Sequence, residues 1–224
     1  MSIFDESAKL YDSWYETKLG QFVDDVETRC AFELLDLKSG SKILEVGSGS
    51  GNFSVKLAKM RYKVVGIDSS IEMLNLAKNK ADKNGVSIEF KHMDATKLLF
   101  ENESFDVVLS MAAFEFIPDS NKVMDEMMRI LKPGGKIVIG TIHSNSKWGD
   151  FYNSDEMQKN SVFKYAKLKS MDEMKKFYPN KLVEDRECLF ISPDTNEKDI
   201  NDENEKRMKD AGERGGFICL KWIK

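Results

Sequence analysis

The sequence predicts an α/β protein built on a doubly wound, mainly parallel sheet, and three observations carry that reading. Short apolar segments alternate with helical ones from Lys42 to Thr141. Several of them, among them KILEV, KVVGI and KIVIGT, are apolar on both faces, as strands covered from both sides must be. The first runs straight into a glycine-rich turn, ILEVGSGSGNFS, at the start of a helix. With 224 residues, 41% of them hydrophobic, the chain can bury roughly 70% of its unfolded surface around one core, so one domain is expected.

Phe4, Ala8, Tyr11 and Tyr15 recur at helical spacing. After Gly20 a second series, Val23, Val26, Cys30 and Leu34, does the same until Ser39-Gly40 stops it, so two N-terminal helices are expected. KILEV is then a strand, 52–60 a helix, KVVGI a strand, and 69–83 a helix with Gly85 as its C-terminal stop. SIEFK, FDVVLS and KIVIGT are strands, with a helix over 119–132 between the last two. Beyond Thr141 the periodicity weakens. Residues 144–165 mix polar side chains with Trp148, Phe151 and Tyr152 and read as a connection that forms part of a pocket wall. Ser170 and Glu173 make a capping box, LVEDRECLFIS and FICLKWI read as strands, and the charged stretch 193–214 reads as an exposed loop with a partial helix.

The formal charge is -4, and no segment gathers Lys and Arg into a stripe suited to a phosphate backbone, so nucleic acid is not an expected partner. Cys30, Cys188 and Cys219 are far apart in sequence and lack CxxC or His-rich surroundings. They suggest neither a disulfide framework nor a zinc site and read as reduced cysteines in a cytoplasmic protein. No stretch approaches the run of about 18 apolar residues that spans a bilayer, and the N-terminus carries acids where a signal peptide has cations.

The glycine turn lacks the GxxxxGK[ST] pattern that cradles nucleotide phosphates. It also misses the dinucleotide fingerprint, because Asn52 or Ser54 stands where the third glycine belongs. What fits is E-x-G-x-G-x-G, with Glu45 closing the strand and Gly47, Gly49 and Gly51 turning the backbone tightly. Asp68 ends the next strand, Asp94 follows the third, and LKPGGKIVIGT turns a helix into the fifth. In this order the motifs from Ile43 to Thr141 resemble the class I S-adenosylmethionine-dependent methyltransferases.

The resemblance implies a Rossmann-like sheet of order 3-2-1-4-5-7-6 with the seventh strand antiparallel. It also implies S-adenosylmethionine as cofactor, whose zwitterionic, phosphate-free methionine end accounts for the missing Lys. It assigns Glu45, Gly47, Gly49 and Gly51 to that end, Asp68 to the ribose hydroxyls, Asp94 and Ala95 to the adenine, and Ser69, Met73 and Met111 to the surrounding wall. The opening AKLYDSWYETKLG is similar to that of ubiquinone and menaquinone methyltransferases, in which a Tyr matching Tyr11 reaches the methionine carboxylate. The domain over 1–224 then divides into N-terminal helices (1–39), a cofactor-binding core (40–142) and acceptor-side elements with the last strands (143–224).

The implied reaction is direct transfer of the methyl group to a small-molecule acceptor, with no metal and no covalent intermediate. The chain's task is to align the acceptor and exclude water. A general base is needed only for a protonated acceptor, and two residues following the fourth and fifth strands qualify: Glu115 and His143. His92 reads as structural. Trp148, Phe151 and Tyr152 either wall the acceptor pocket or pack the loop onto the sheet. A protein or RNA acceptor, or a binding module without catalysis, remains an alternative at this stage.

Overall fold

The computed structural model describes residues 3–5 and 12–224. Strands β1 (Lys42–Val46), β2 (Lys63–Asp68), β3 (Glu89–His92), β4 (Phe105–Met111) and β5 (Leu131–Ile142) run parallel, in the spatial order 3-2-1-4-5. β6 (Leu182–Cys188) and β7 (Phe217–Ile223) complete a seven-stranded sheet of order β3-β2-β1-β4-β5-β7-β6, with β7 antiparallel to both neighbours. Strand order therefore reverses between β1 and β4, and the carboxyl ends of these two strands border the crevice where ligands bind in such sheets.

Period-two alternation sends Ile43 and Glu45 of β1 to one face, and Leu44 and Val46 to the other. The first face packs against α1 (Lys18–Leu35) and α2 (Asn52–Lys59) through Val26, Leu34, Phe53 and Leu57. The second packs against α4 (Ser120–Ile130), whose Met124, Met127 and Met128 are buried there, as adaptable apolar side chains. α3 (Ile71–Lys83) follows β2; Ser70 caps it by accepting a hydrogen bond from Met73 N, and Gly85 follows its end with φ +65. Ser170 and Glu173 form the expected capping box before the short α7 (Met171–Met174). Among the described residues, no helix is long and apolar enough to cross a membrane.

Some expectations need adjustment. Gly20 does not separate two helices but lies in the first turn of α1, where a Cβ would stand 2.0 Å from the Trp14 carbonyl oxygen. The expected first helix falls mostly outside the described residues. The helix expected over 119–132 stops at Ile130, because Lys132 precedes Pro133 and is pushed toward extended backbone. Leu131 already pairs with Phe105, and residues 132–135 bulge out before Lys136 pairs with Val107.

The charged stretch 193–214 contains the expected partial helix and is anchored to the body of the protein. It holds α8 (Asp202–Asp210), whose Glu205 accepts from the backbone of Phe190 and Ile191 at 2.7 and 2.9 Å, and Ile200 is buried beneath it. The cysteines, distant in sequence, converge: Cys30 of α1, Cys188 of β6 and Cys219 of β7 are free and buried, with their sulfurs within 4.8 Å of one another.

Trp222 of β7 is fully buried and its indole N–H donates to Phe177 O at 2.7 Å. Trp222→Ala leaves both a cavity and an unpaired carbonyl, and should cost about 3–5 kcal/mol of unfolding free energy in a urea titration.

Candidate active site

A cavity of about 550 Å³ opens at the carboxyl ends of β1 and β4 and extends beneath α1. Its inner half is built by the turn after β1. Gly47 (φ +73) has no Cβ, and one would lie 2.4 Å from the Cβ of Ala113, so the turns after β1 and β4 can touch only because a glycine stands there. The Gly47 and Ser48 amides both donate to Ile67 O at 2.9 Å, and Gly49 N donates to Asp68 Oδ2 at 2.9 Å. These bonds tie the end of β1 to the end of β2. Gly49 has φ +50 and nothing within 4 Å of where a Cβ would be, so its backbone faces open space. Gly51 (φ +83) instead packs on α3, where a Cβ would meet the Cβ of Ala77 at 3.0 Å.

The acids of this half are held away from water. Glu45 is 1% exposed and accepts a hydrogen bond from the Ser54 hydroxyl, yet burial pushes its carboxyl up to about 8. Asp68 also accepts from Ser70 N at 2.8 Å, and burial raises it despite those amide bonds. The buried Ser48 hydroxyl has no partner. The loop brings no Lys of its own, but Lys80 of α3 reaches its edge, bonding Ser50 at 3.1 Å and Asp12 at 2.9 Å as well as Asn52. Its charge is thus already paired.

The structure brings six of the assigned residues to the cavity wall: Glu45, Gly47, Gly49, Asp68, Met73 and Met111. Asp94 and Ala95 are outside it, on the rim after β3. Asp94 is exposed and held below the usual carboxylate range by the Thr96 amide and hydroxyl, both at 2.8 Å. Ser69 is exposed beside them, its carbonyl 3.0 Å from His92 Nε2, which gives His92 the structural place expected. Tyr11 is outside the described residues.

The outer half is apolar. Trp148 and Tyr152 of α5 (Lys147–Tyr152), together with Phe151, line it and also pack one another. Trp148 donates to Ile191 O at 2.7 Å, and Tyr152 stacks on Phe163 with ring centroids 3.9 Å apart. The aromatic group therefore both lines the cavity and packs its own loop.

Of the two base candidates, Glu115 lines the cavity. It is 1% exposed and burial pushes it up to about 7, against a hydrogen bond from Thr141 Oγ1 to its Oε2 at 3.0 Å. His143 is corrected: it is fully buried behind the wall, with Nδ1 3.1 Å from Gly215 O. Ile142 faces the cavity, and alternation along β5 turns the next side chain away from it.

Sequence reasoning missed Glu27. It lies on α1, lines the same cavity and is 8% exposed. Burial raises its carboxyl well above the ordinary range, with Asp24 and Glu115 adding to the effect. The available signal was an acid between Val23, Val26 and Cys30, on the apolar face of an amphipathic helix.

A family model described as a methyltransferase domain matches residues 44–139. Phosphatidylethanolamine N-methyltransferase of Cereibacter sphaeroides is 34% identical over 139 residues, covering 60% of this chain and 67% of that protein. An uncharacterised protein of Methanocaldococcus jannaschii is 29% identical over 98% of each chain. Among solved structures, a Thermotoga maritima protein described as a possible histamine N-methyltransferase shares the fold with a TM-score of 0.76 at 24% identity, over 99% of this chain and 98% of that one. The fold, the glycine turn and these matches define a methyl-transferring enzyme that uses S-adenosylmethionine. The chain belongs to the class I S-adenosylmethionine-dependent methyltransferases.

The pH dependence of stability follows from the buried acids. Folded Glu45 holds its proton up to about 8, whereas its ordinary value is 4.5, so between those values the folded state binds more protons and stability falls as pH rises. Glu27 and Glu115 act with the same sign. Thermal melts of the free protein should show a midpoint that drops across this window, and Glu45→Gln should flatten the slope. An unchanged slope in the variant would show that Glu45 titrates as an ordinary carboxyl.

Proposed function

We propose that this single-domain enzyme methylates a small molecule held in the apolar half of the cavity, with the cofactor in the half bounded by Glu45, Gly47, Gly49 and Asp68. The observation that carries the reading is the continuity of one cavity across two chemically different halves: an acid-lined backbone cradle and an aromatic chamber. Its volume is that of a pocket for small ligands.

When bound, S-adenosylmethionine supplies a methyl group already activated on a sulfonium. The open backbone face at Gly49, the unpartnered Ser48 hydroxyl and the buried Glu45 fit its methionine end, which carries an ammonium and a carboxylate. Asp68, held by the Gly49 and Ser70 amides, presents its carboxylate to the cavity where it can accept from the ribose hydroxyls. Asp94 and Ala95, on the open rim beyond Asp68, serve the adenine, with Ser69 beside them. Met73 and Met111 contribute apolar wall.

In the acceptor half, the aromatic side chains and the inward edge of the charged segment at Pro193 exclude water from the reacting atoms. An acidic chain whose pocket is lined by apolar groups is poorly matched to a nucleic acid. The Cereibacter relative is named for a phospholipid rather than for a protein or RNA.

Calorimetry with S-adenosylhomocysteine tests the site assignment. Binding is expected, and Asp68→Ala should weaken it by about 10-fold or more because two hydrogen-bonded hydroxyls lose their partner. Glu115→Ala should change it far less. Equal losses, or no binding to the unmodified protein, would overturn the assignment.

A further inference from the structure

Every charged residue that lines the cavity is acidic among the described residues: Glu27, Glu45, Asp68 and Glu115. Among the described residues, no Lys, Arg or His shares the wall with them. The cofactor reading uses Glu45 and Asp68 and leaves two buried carboxyls over, Glu27 and Glu115, on the same cavity wall. Glu115 Oε1 is buried without a hydrogen-bond partner, while Oε2 receives the Thr141 hydroxyl. The Glu27 carboxyl makes no hydrogen bond or ion pair with another described residue.

The basic groups nearest these two stand off the cavity wall. Lys56 Nζ is bonded to Asp24 and Thr28, both at 2.6 Å. Lys169 bonds Lys167 O at 3.3 Å and lies over the Phe114 ring at 5.5 Å, and its charge only partly offsets the burial of Glu115. Asp24 and Cys30, the other titratable groups around Glu27, add only acidity.

Two carboxyls facing one apolar chamber without a cation are costly to bury unless a ligand completes them. A neutral hydroxyl could satisfy one of them and would leave the other stranded. A cation answers both. The same chamber is walled by Trp14, Tyr15, Phe116, Tyr152 and Phe163, and aromatic faces attract ammonium groups further.

We propose that the acceptor is a small amine, held as its ammonium between Glu27 and Glu115, and that Glu115 removes the proton that frees the nitrogen for methylation. This rests on the reading that the cavity takes the cofactor together with a small acceptor. Glu115 is assigned the proton because it lies two residues after Ala113, which abuts Gly47 at the cofactor half. Glu27 enters from α1; the proton that burial holds on it in the free protein leaves to water as the ammonium binds, and it then remains as the charge partner.

The step balances. The ammonium gives one proton to the Glu115 carboxylate, and the freed nitrogen lone pair forms the N–C bond. The C–S bond breaks with its electron pair returning to sulfur, which leaves neutral S-adenosylhomocysteine. The product is a methylated ammonium that still faces Glu27, and Glu115 returns its proton to water when the product leaves.

The test uses the full chain saturated with S-adenosylhomocysteine and a calorimetric panel of amines, each paired with the alcohol of the same shape, such as phenethylamine with 2-phenylethanol and butylamine with butanol. At least one amine should bind about 10-fold or more tightly than its alcohol. Glu27→Gln and Glu115→Gln, which keep the side-chain volume, should each collapse that preference while S-adenosylhomocysteine affinity stays within about threefold. In turnover, Glu115→Gln should lower kcat by about 100-fold or more. The inference is overturned if no amine outbinds its alcohol, if the preference survives both substitutions, or if labelled methyl from a cell-extract screen appears on oxygen, carbon or sulfur. Loss of S-adenosylhomocysteine binding in the unmodified protein would instead strike the cofactor reading, so the two failures are separable.

Discussion

The approach of Gly47 to Ala113 is the constraint on which the site depends. At the reversal of strand order, the turns after β1 and β4 must share a space that a single added Cβ would fill. Because they can meet, Glu45 at the end of β1, Asp68 at the end of β2 and Glu115 after β4 face one crevice. The amide of Gly49 then fixes Asp68 in place, and the backbone is left open to a ligand where Gly49 itself has no side chain. The same geometry serves any doubly wound sheet. Lys80, the cation at the edge of the glycine turn, is already paired with Asp12.

Around that constraint the cavity acquires an unusual electrostatic character. Its acids are buried under α1, the aromatic group of α5 and the segment leading to α8, so each holds its proton more tightly than it would in water. In the reading proposed above, that enclosure takes a methionine ammonium and sulfonium in one half and an ammonium-bearing acceptor in the other, whose charges would draw the carboxyls into their ionised form. Helix α1 also couples folding to the site, because Glu27 and Cys30 belong to one helix face that packs simultaneously on the cavity and on the β6–β7 edge.

Much of the site was legible because its residues sit next to strand ends. Glu45, Gly47, Gly49 and Asp68 are found by counting from an apolar segment into a glycine turn. The last strand, FICLKWI, has the same bounds in structure as in sequence. The errors have equally local causes. His143 was placed near the site by its position after β5, but alternation within the strand turns its side chain away. The bulge at Pro133 to Gly135 shifted a helix end, because a proline acts on the residue before it. Glu27 was passed over since a single acid on an apolar helical stripe has no meaning until the surface opposite it is known.

The sequence by itself determined the alternation of strands and helices, the glycine turn and the acids that close β1 and β2. Apolar period and the freedom of glycine at positive φ are properties of a few neighbouring residues. Only the tertiary structure decided which acids share an enclosed space, that Trp148 and Tyr152 both pack and line it, and that three distant cysteines meet. Desolvation depends on segments remote in sequence closing over the same volume, and it is this enclosure that sets Glu27 and Glu115 apart from the chain's many solvated carboxylates.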